Sequence, residues 1–340
     1  MMRGRKIRGF QSDPQRGFSF LELLVAVTIL LVIAAAITQA LGKMTMVNQG
    51  VDNRTQMHAA VRSATELLQQ EIGQAGKVSL PTDTVALTGA VTVPADSIVT
   101  ATLGVTSALG MFTGEQLVID SAANQETVAL TGVNLGSNQI TANFTKTHAA
   151  GAKLRAAGGF VNGVMPTVDA NGSTGTVLRL FGDINDDGNM MYVEYTCDTN
   201  AGKLYRNVMS ASATSKPSLS DALVLLPNIQ ANPGGTACFT YQQKPVPLPI
   251  PGTDCETTHP ERCYVLNVAV TLTVRSQQKD VDTSQYQTET KALLNVSPRN
   301  VYETWLLANG NFTERVQPTP PNVTCLKTAT PGADGACTGS

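Results

Sequence analysis

The chain of 340 residues carries a formal charge of −2 with 42% hydrophobic content, enough for one large or two modest globular bodies beyond a leading segment. So balanced a charge excludes a partner chosen by bulk electrostatics. No basic face and no Lys/Arg run with interleaved aromatics follows residue 17, so nucleic acid has no footprint to bind.

Residues 1–17 hold Arg3, Arg5, Lys6, Arg8 and Arg16 against Asp13 alone, and an apolar run follows at once, which places this end in the cytoplasm and exports the rest. A secretory signal, with small residues near Ala34 and Ala36 for cleavage, is the plainest reading. Two features oppose it. Glu22 sits inside the apolar run, where insertion scales put a carboxylate at about 2.5–3.5 kcal/mol near a bilayer centre. The helical pattern also continues past Gly42, with Met57, Ala60, Val61, Ala64, Leu67, Leu68, Ile72 and Ala75 recurring every three or four residues. One helix over 18–76 would run roughly 88 Å. Its first half suits lipid and its second half offers a stripe to a globular body.

The stretch "RGFSFLELLVAVTILLVIA" resembles the class III signal of type IV prepilins and type II secretion pseudopilins, in its Gly-Phe junction, its glutamate at the fifth position from Phe18, and the apolar helix behind them. The resemblance implies that prepilin peptidase cuts between Gly17 and Phe18, removing leader 1–17, and that Phe18 is then N-methylated. It implies too that Glu22 faces the α-amino group of Phe18 in a neighbouring subunit. An opposite buried charge is the physical way to offset a carboxylate in apolar surroundings. On this reading 18–41 is the transmembrane and filament-core half of the helix and 42–76 its amphipathic half. The implied partners are other major and minor pilins, prepilin peptidase, inner-membrane lipid and the pilus assembly platform. The implied location is a single inner-membrane pass with a periplasmic body, then the pilus at the cell surface. Many pilins carry a proline partway along this helix; here 39–42 holds only Gly42.

Residues 79–157 change character, rich in Thr, Val, Ala and Gly, with short β-type runs between turn residues. Strands are expected over 97–103, 116–120, 126–132 and 139–144, with a return at 152–155, as an inserted small barrel or sandwich. The portion "SAANQETVALTGV…ITANFTKTHAAGAKL" is similar to a small β-module of bacterial surface proteins. His148 reads as a turn residue at a strand entry, since no second ligand-type residue is spaced with it.

From Thr176 a meander follows, "TVLRLFGD", "NMMYVEYTCD" and "GKLYRNVM", then "TACFTYQQ", "YVLNVAVTLTVRSQ" and "TKALLNVSPRNV". Leu266, Val268, Val270, Leu272 and Val274 alternate with Asn267, Ala269, Thr271 and Thr273, as in a strand with one covered face. The amphipathic half of the helix is the obvious cover. The six cysteines, Cys197, Cys238, Cys255, Cys263, Cys325 and Cys337, all lie in this half with no C-x-x-C pair, and read as disulfides outside the cytosol. Short loops favour Cys255–Cys263 and Cys325–Cys337, leaving Cys197–Cys238, among the fifteen pairings that six cysteines allow. Zinc is the weaker alternative, with irregular spacings and His259 the one histidine nearby.

This meander, with "VRSATELLQQEIGQAG" before it and "VSPRNV" after it, resembles PilW-type minor pilins and more distantly GspJ-type pseudopilins. The expected fold is α+β and pilin-like: a long N-terminal helix on an antiparallel sheet spanning 158–316, with the β-module inserted and an irregular tail over 317–340 stapled by its two cysteines. Minor pilin, pseudopilin of a secretion-system tip, and pilus-mounted adhesin using the inserted module are the functions this implies.

"DINDDGNMMYVE" fits a calcium-loop template with Asp183, Asn185, Asp187, Gly188 and Glu194, which makes Ca²⁺ the one candidate cofactor. Its flanks read as strands, and Asp, Asn and Gly are also what a hairpin turn selects, so a plain turn stands beside the metal reading. No catalytic constellation is present: three histidines (His58, His148, His259), no G-x-S-x-G, no H-E-x-x-H and no phosphate-binding Gly loop. Trp305 and the tyrosines read as core or sheet residues, and Glu71 as solvated or paired along its own helix.

Overall fold

A computed structural model of the chain describes residues 17, 19–82, 84–245, 255, 262–280, 283–333, 335 and 337. Helix α1 (Phe20–Gln74) is a single element of 55 residues, about 82 Å at 1.5 Å per residue, and passes Gly42 and Gly50 without a break. Its first half packs on nothing: the large apolar side chains from Phe20 to Val51 are exposed. Its second half buries Met57, Val61, Ala64, Leu68 and Ile72 at the expected helical spacing, while Ala60 is exposed and Leu67 half-buried at the edge of that stripe. The helix ends where Gly76 turns to φ +85°, its N–H donating to Phe181 O at 2.8 Å and its carbonyl accepting from Phe160 N at 2.9 Å. Asn300 Nδ2 donates to Gln74 O at 3.0 Å, satisfying one of the last-turn carbonyls.

Five antiparallel strands follow: β1 (Val99–Gly104), β2 (Gln116–Ile119), β3 (Glu126–Asn134), β4 (Gln139–Phe144) and β5 (Leu154–Ala156), in the order β1-β4-β3-β2-β5. Residues 85–91 run between the two outer strands, with Leu87 bridging Val105 and Ala86 bridging Lys153. Both edges are thereby paired and the sheet closes into a small barrel. Leu117, Ile119, Leu130, Ile140, Phe144 and Leu154 fill it, each no more than 1% exposed.

The chain then makes β6 (Gly159–Phe160), β7 (Val177–Gly182), β8 (Met191–Asp198), β9 (Lys203–Ser210) and β10 (Val224–Pro227), the last four forming an antiparallel sheet in chain order. Beyond them β11 (Ile229–Gln230) and β12 (Phe239–Pro245) pair with β13 (Cys263–Arg275), and β14 (Thr288–Val296) pairs with β13 as well. The second half of α1 packs on both sheets, its stripe meeting Leu180, Val193, Tyr195, Leu226, Val268, Val270 and Leu272 in one core. This is the α+β, pilin-like architecture: a long N-terminal helix on an antiparallel sheet, with further β-strands inserted between them.

Three elements depart from the sequence reading. Leu266 does not share a face with Val268: the register skips a residue there, Gln242 pairing with Asn267 and Gln243 with Val265. This bulge reverses the alternation, sending Val265 to the helix-side core and Leu266, with Tyr264, to the opposite face. That opposite face is covered by α2 (Arg299–Asn309), a helix not anticipated, which buries Val301, Thr304 and Ala308. The tail is not irregular throughout. After β15 (Val316–Gln317), which pairs in parallel with β6, it forms α3 (Pro321–Thr328), whose Pro321 occupies the first turn and whose Val323 and Leu326 are buried. The structure joins Cys197 to Cys238, Cys255 to Cys263 and Cys325 to Cys337.

Candidate functional site

The exposed half of α1 is the surface that the fold leaves unexplained. Residues 20–41 span about 33 Å as helix, matched to a hydrocarbon core of about 30 Å. Its hydroxyls are satisfied internally: Thr28 Oγ1 donates to Val25 O at 2.8 Å, Thr38 Oγ1 to Ala34 O at 3.0 Å, and Thr45 Oγ1 to Gly42 O at 2.8 Å. Beyond its first turn, which has no side-chain cap, a helix whose hydroxyls and backbone groups bond within it is fit for an apolar medium. The exception is Glu22, in the first turn and exposed, with no hydrogen-bond or ion-pair partner among the described residues. The helix N-terminus favours a carboxylate there. Gly17, also exposed, has nothing among the described residues within 4 Å of where a Cβ would lie. Phe18 lies outside the described residues.

A buried charge cluster holds the other half of α1 to the sheet. Glu71 is 3% exposed, accepts from Tyr195 Oη at 2.5 Å, and is clasped by Arg206, whose Nε lies 3.1 Å from Oε1. Glu71 is thus neither solvated nor paired along its own helix. It reaches across to β8 and β9, one reason α1 takes one rotation about its axis and no other. Burial, with Glu71 beside it, raises the Tyr195 hydroxyl above its ordinary range, so it stays a donor.

The residues of the calcium template do not converge. Both Asp183 oxygens accept backbone N–H groups of their own loop, Oδ1 from Asp187 at 3.0 Å and Oδ2 from Gly188 at 3.2 Å, and Lys77 pairs with Asp183 and Asp186. Asp187 Oδ1 accepts from Asn189 N at 2.9 Å. Glu194 lies within β8, paired with Arg179 and Lys216, each at 2.9 Å. The stretch is a turn closed by Asp183 and neutralised by a lysine, and its glutamate belongs to another cluster. Burial alone would raise the Glu194 carboxyl, but Lys216 and Arg179 outweigh it and hold it below the ordinary range.

Two groups in the barrel are buried without any sign of it in the sequence, and His148, read as a turn residue, is instead a core group bridged to Val91. His148 is fully buried, its Nε2 at 2.8 Å from Glu126 Oε1 and its Nδ1 at 3.4 Å from Asp120 Oδ2. It ties two strands to the segment that closes the barrel, exchanging backbone hydrogen bonds with Val91. No sequence spacing announces such a contact, because Asp120 and Glu126 lie more than twenty residues away. Glu115 is also fully buried, one oxygen accepting from Phe112 N at 3.3 Å and the other without a partner. Trp305 is half-buried and donates to Pro245 O, and Tyr192, Tyr195 and Tyr264 are buried. His58 pairs at the surface with Glu289, and His259 lies outside the described residues.

Residues 13–38 match the family described as the prokaryotic N-terminal methylation motif. No curated protein and no solved structure matches the chain significantly. The motif, the single apolar N-terminal helix and the sheet packed on its second half are consistent with a type IV pilin-like family. Among the described residues no group of three or more His, Cys, Asp or Glu could hold a metal ion. One apolar helix of this kind, near the N-terminus, suits a membrane anchor or a signal sequence.

Proposed function

We propose that the chain is a minor pilin that takes part in the assembly or initiation of a type IV pilus. Prepilin peptidase would cut between Gly17 and Phe18 on the cytoplasmic side, Phe18 would be N-methylated, and α1 would stay in the inner membrane until the subunit joins other pilins. The observation that carries this is the division of α1. A helix whose second half is locked into a folded body by Glu71, while its first half is wholly exposed and apolar, is suited to be kept and repacked against like helices. Glu22, the lone charge of residues 20–41, would meet the new α-amino group of a neighbour's Phe18. Resemblance in the meander favours the PilW type.

Mass analysis of the mature N-terminus tests the proposal. A chain starting at Phe18 with one added methyl is the expected result, and one starting after Ala36 overturns it. A second reading is a pilus-mounted adhesin, favoured by the barrel's own closed sheet and separate core, which α1 does not need for its packing. A pseudopilin at a secretion-system tip would use the same helix chemistry, and co-purifying partners distinguish the machines.

A further inference from the structure

On the face of the β7–β10 sheet turned away from α1, three reactive side chains are buried as neighbours: Glu194, Asn207 and Lys216. Glu194 of β8 and Asn207 of β9 are direct cross-strand partners, which sets their Cβ atoms about 4.5–5.5 Å apart on one face. Lys216, on the segment after β9, reaches back over them: it is 2% exposed, with Nζ 2.9 Å from Glu194 Oε2 and 5.6 Å from the Tyr192 ring centre. Asn207 is 1% exposed, and its Nδ2 donates at 2.9 Å to the carbonyl of Pro217, the residue next to Lys216. Its Oδ1 is buried without any partner. A purely structural ion pair gives no account of that orphan oxygen, since a buried carbonyl normally has a donor.

We propose that Lys216 and Asn207 become joined by an intramolecular isopeptide bond, with Glu194 as the catalytic proton carrier. A proton passes from Lys216 Nζ to Glu194, leaving a neutral amine and a carboxylic acid able to donate to Asn207 Oδ1. The amine lone pair attacks Asn207 Cγ, forming the N–C bond and pushing the carbonyl electrons onto Oδ1, which the Glu194 acid stabilises. Nitrogen Nδ2 takes a proton from the attacking amine, the Cγ–Nδ2 bond breaks, and ammonia departs, collecting the Glu194 proton to leave as ammonium. Lysine ammonium and asparagine amide thus become a secondary amide and ammonium, with no oxidant or co-reactant. Burial and the charge of Arg179 draw the Lys216 ammonium below its ordinary range, while Lys216 and Arg179 hold the Glu194 carboxyl low, so the neutral pair is a transient state that the attack consumes. Burying the three side chains on one sheet face supplies the proximity that free lysine and asparagine lack. The bond would tie the segment after β9 to that strand, so that a subunit under tension could not unzip it.

Chemical cleavage at methionine tests the bond in the full chain purified in detergent. Met209 lies between the two residues and is the last methionine of the sequence, so, with the disulfides reduced, an unlinked chain releases fragments 192–209 and 210–340 separately. The expected result is one joined species, lighter than the two fragments together by one ammonia. Separate fragments at their sequence masses overturn the proposal. Glu194→Gln and Asn207→Ser, each checked for folding by its thermal transition, should both yield separate fragments. A joined species from folded Glu194→Gln removes the catalytic role, and one from Asn207→Ser removes the assigned acceptor.

Discussion

Glu115 shows how a single buried group can write itself into the pH dependence of the whole body. Burial pushes its carboxyl up to about 8 from an ordinary 4.5, against the modest pull of the Phe112 N–H. A carboxyl whose folded value is raised is protonated in the folded chain across an interval where the unfolded chain has already released its proton. Its contribution to stability is therefore complete below about pH 4.5 and is lost as pH rises through about 8. The sum over that interval is on the order of a few kcal/mol. Thermal unfolding of the wild-type chain at pH 5 and pH 8 should show a drop that Glu115→Gln, an uncharged near-isostere, largely abolishes. Equal drops in the two proteins would mean that Glu115 is ionised in the fold. Nothing in "GEQLVID" distinguishes this glutamate from a surface one, because the burial comes from contacts far along the chain. Gln317, for instance, donates to the carbonyl of the adjacent Gln116 and accepts its N–H.

At the scale of elements, what could be read from sequence was what periodicity encodes locally. Helix α1, the β-runs 116–120 and 139–144, and the meander hairpins all follow from spacing-3.6 or spacing-2 patterns with turn residues between them. The bulge at Leu266 could not be read that way. It is fixed by pairing with β12, and both Val265 and Leu266 are apolar, so the pattern tolerates either face. Helix α2 was hidden for a related reason: its buried Val301, Thr304 and Ala308 make a narrow stripe that includes a polar residue, while Tyr302 and Leu306 lie exposed. The close seating of the end of α1 is likewise a tertiary fact. A Cβ on Gly163 would fall 2.3 Å from Gly76 N and Cα, backbone atoms that cannot step aside. Gly163→Ala should accordingly destabilise the body by about 1–3 kcal/mol, in the range of overpacking. Chemical denaturation of the full chain measures this, and a loss within about 0.5 kcal/mol, as for a featureless surface change, would show the junction to be loose.

In the whole molecule, one helix serves two media, and the polar groups along it sort by medium. Glu71 sits in the half that meets the sheet, where Arg206 and Tyr195 satisfy it within the same chain. Glu22 sits in the half that meets none of the described body, so any partner that neutralises it in an apolar setting has to come from elsewhere. This asymmetry was legible in the sequence for Glu22, which stands alone in an apolar run, and illegible for Glu71, whose partners are more than a hundred residues away. It also separates two variants that a simple anchor would not. Glu22→Leu makes the exposed half more apolar and touches no contact of the body, so export, anchoring and thermal stability should be unchanged while incorporation into filaments falls. Removal of residues 79–157 leaves the α1 stripe and both sheets of the main core in the chain, so incorporation should persist, and surface attachment should fall if the barrel is the adhesive part. Quantifying both variants in sheared filaments against the membrane fraction reads out the two roles together. Wild-type incorporation of Glu22→Leu would remove the charge pairing from the assembly mechanism.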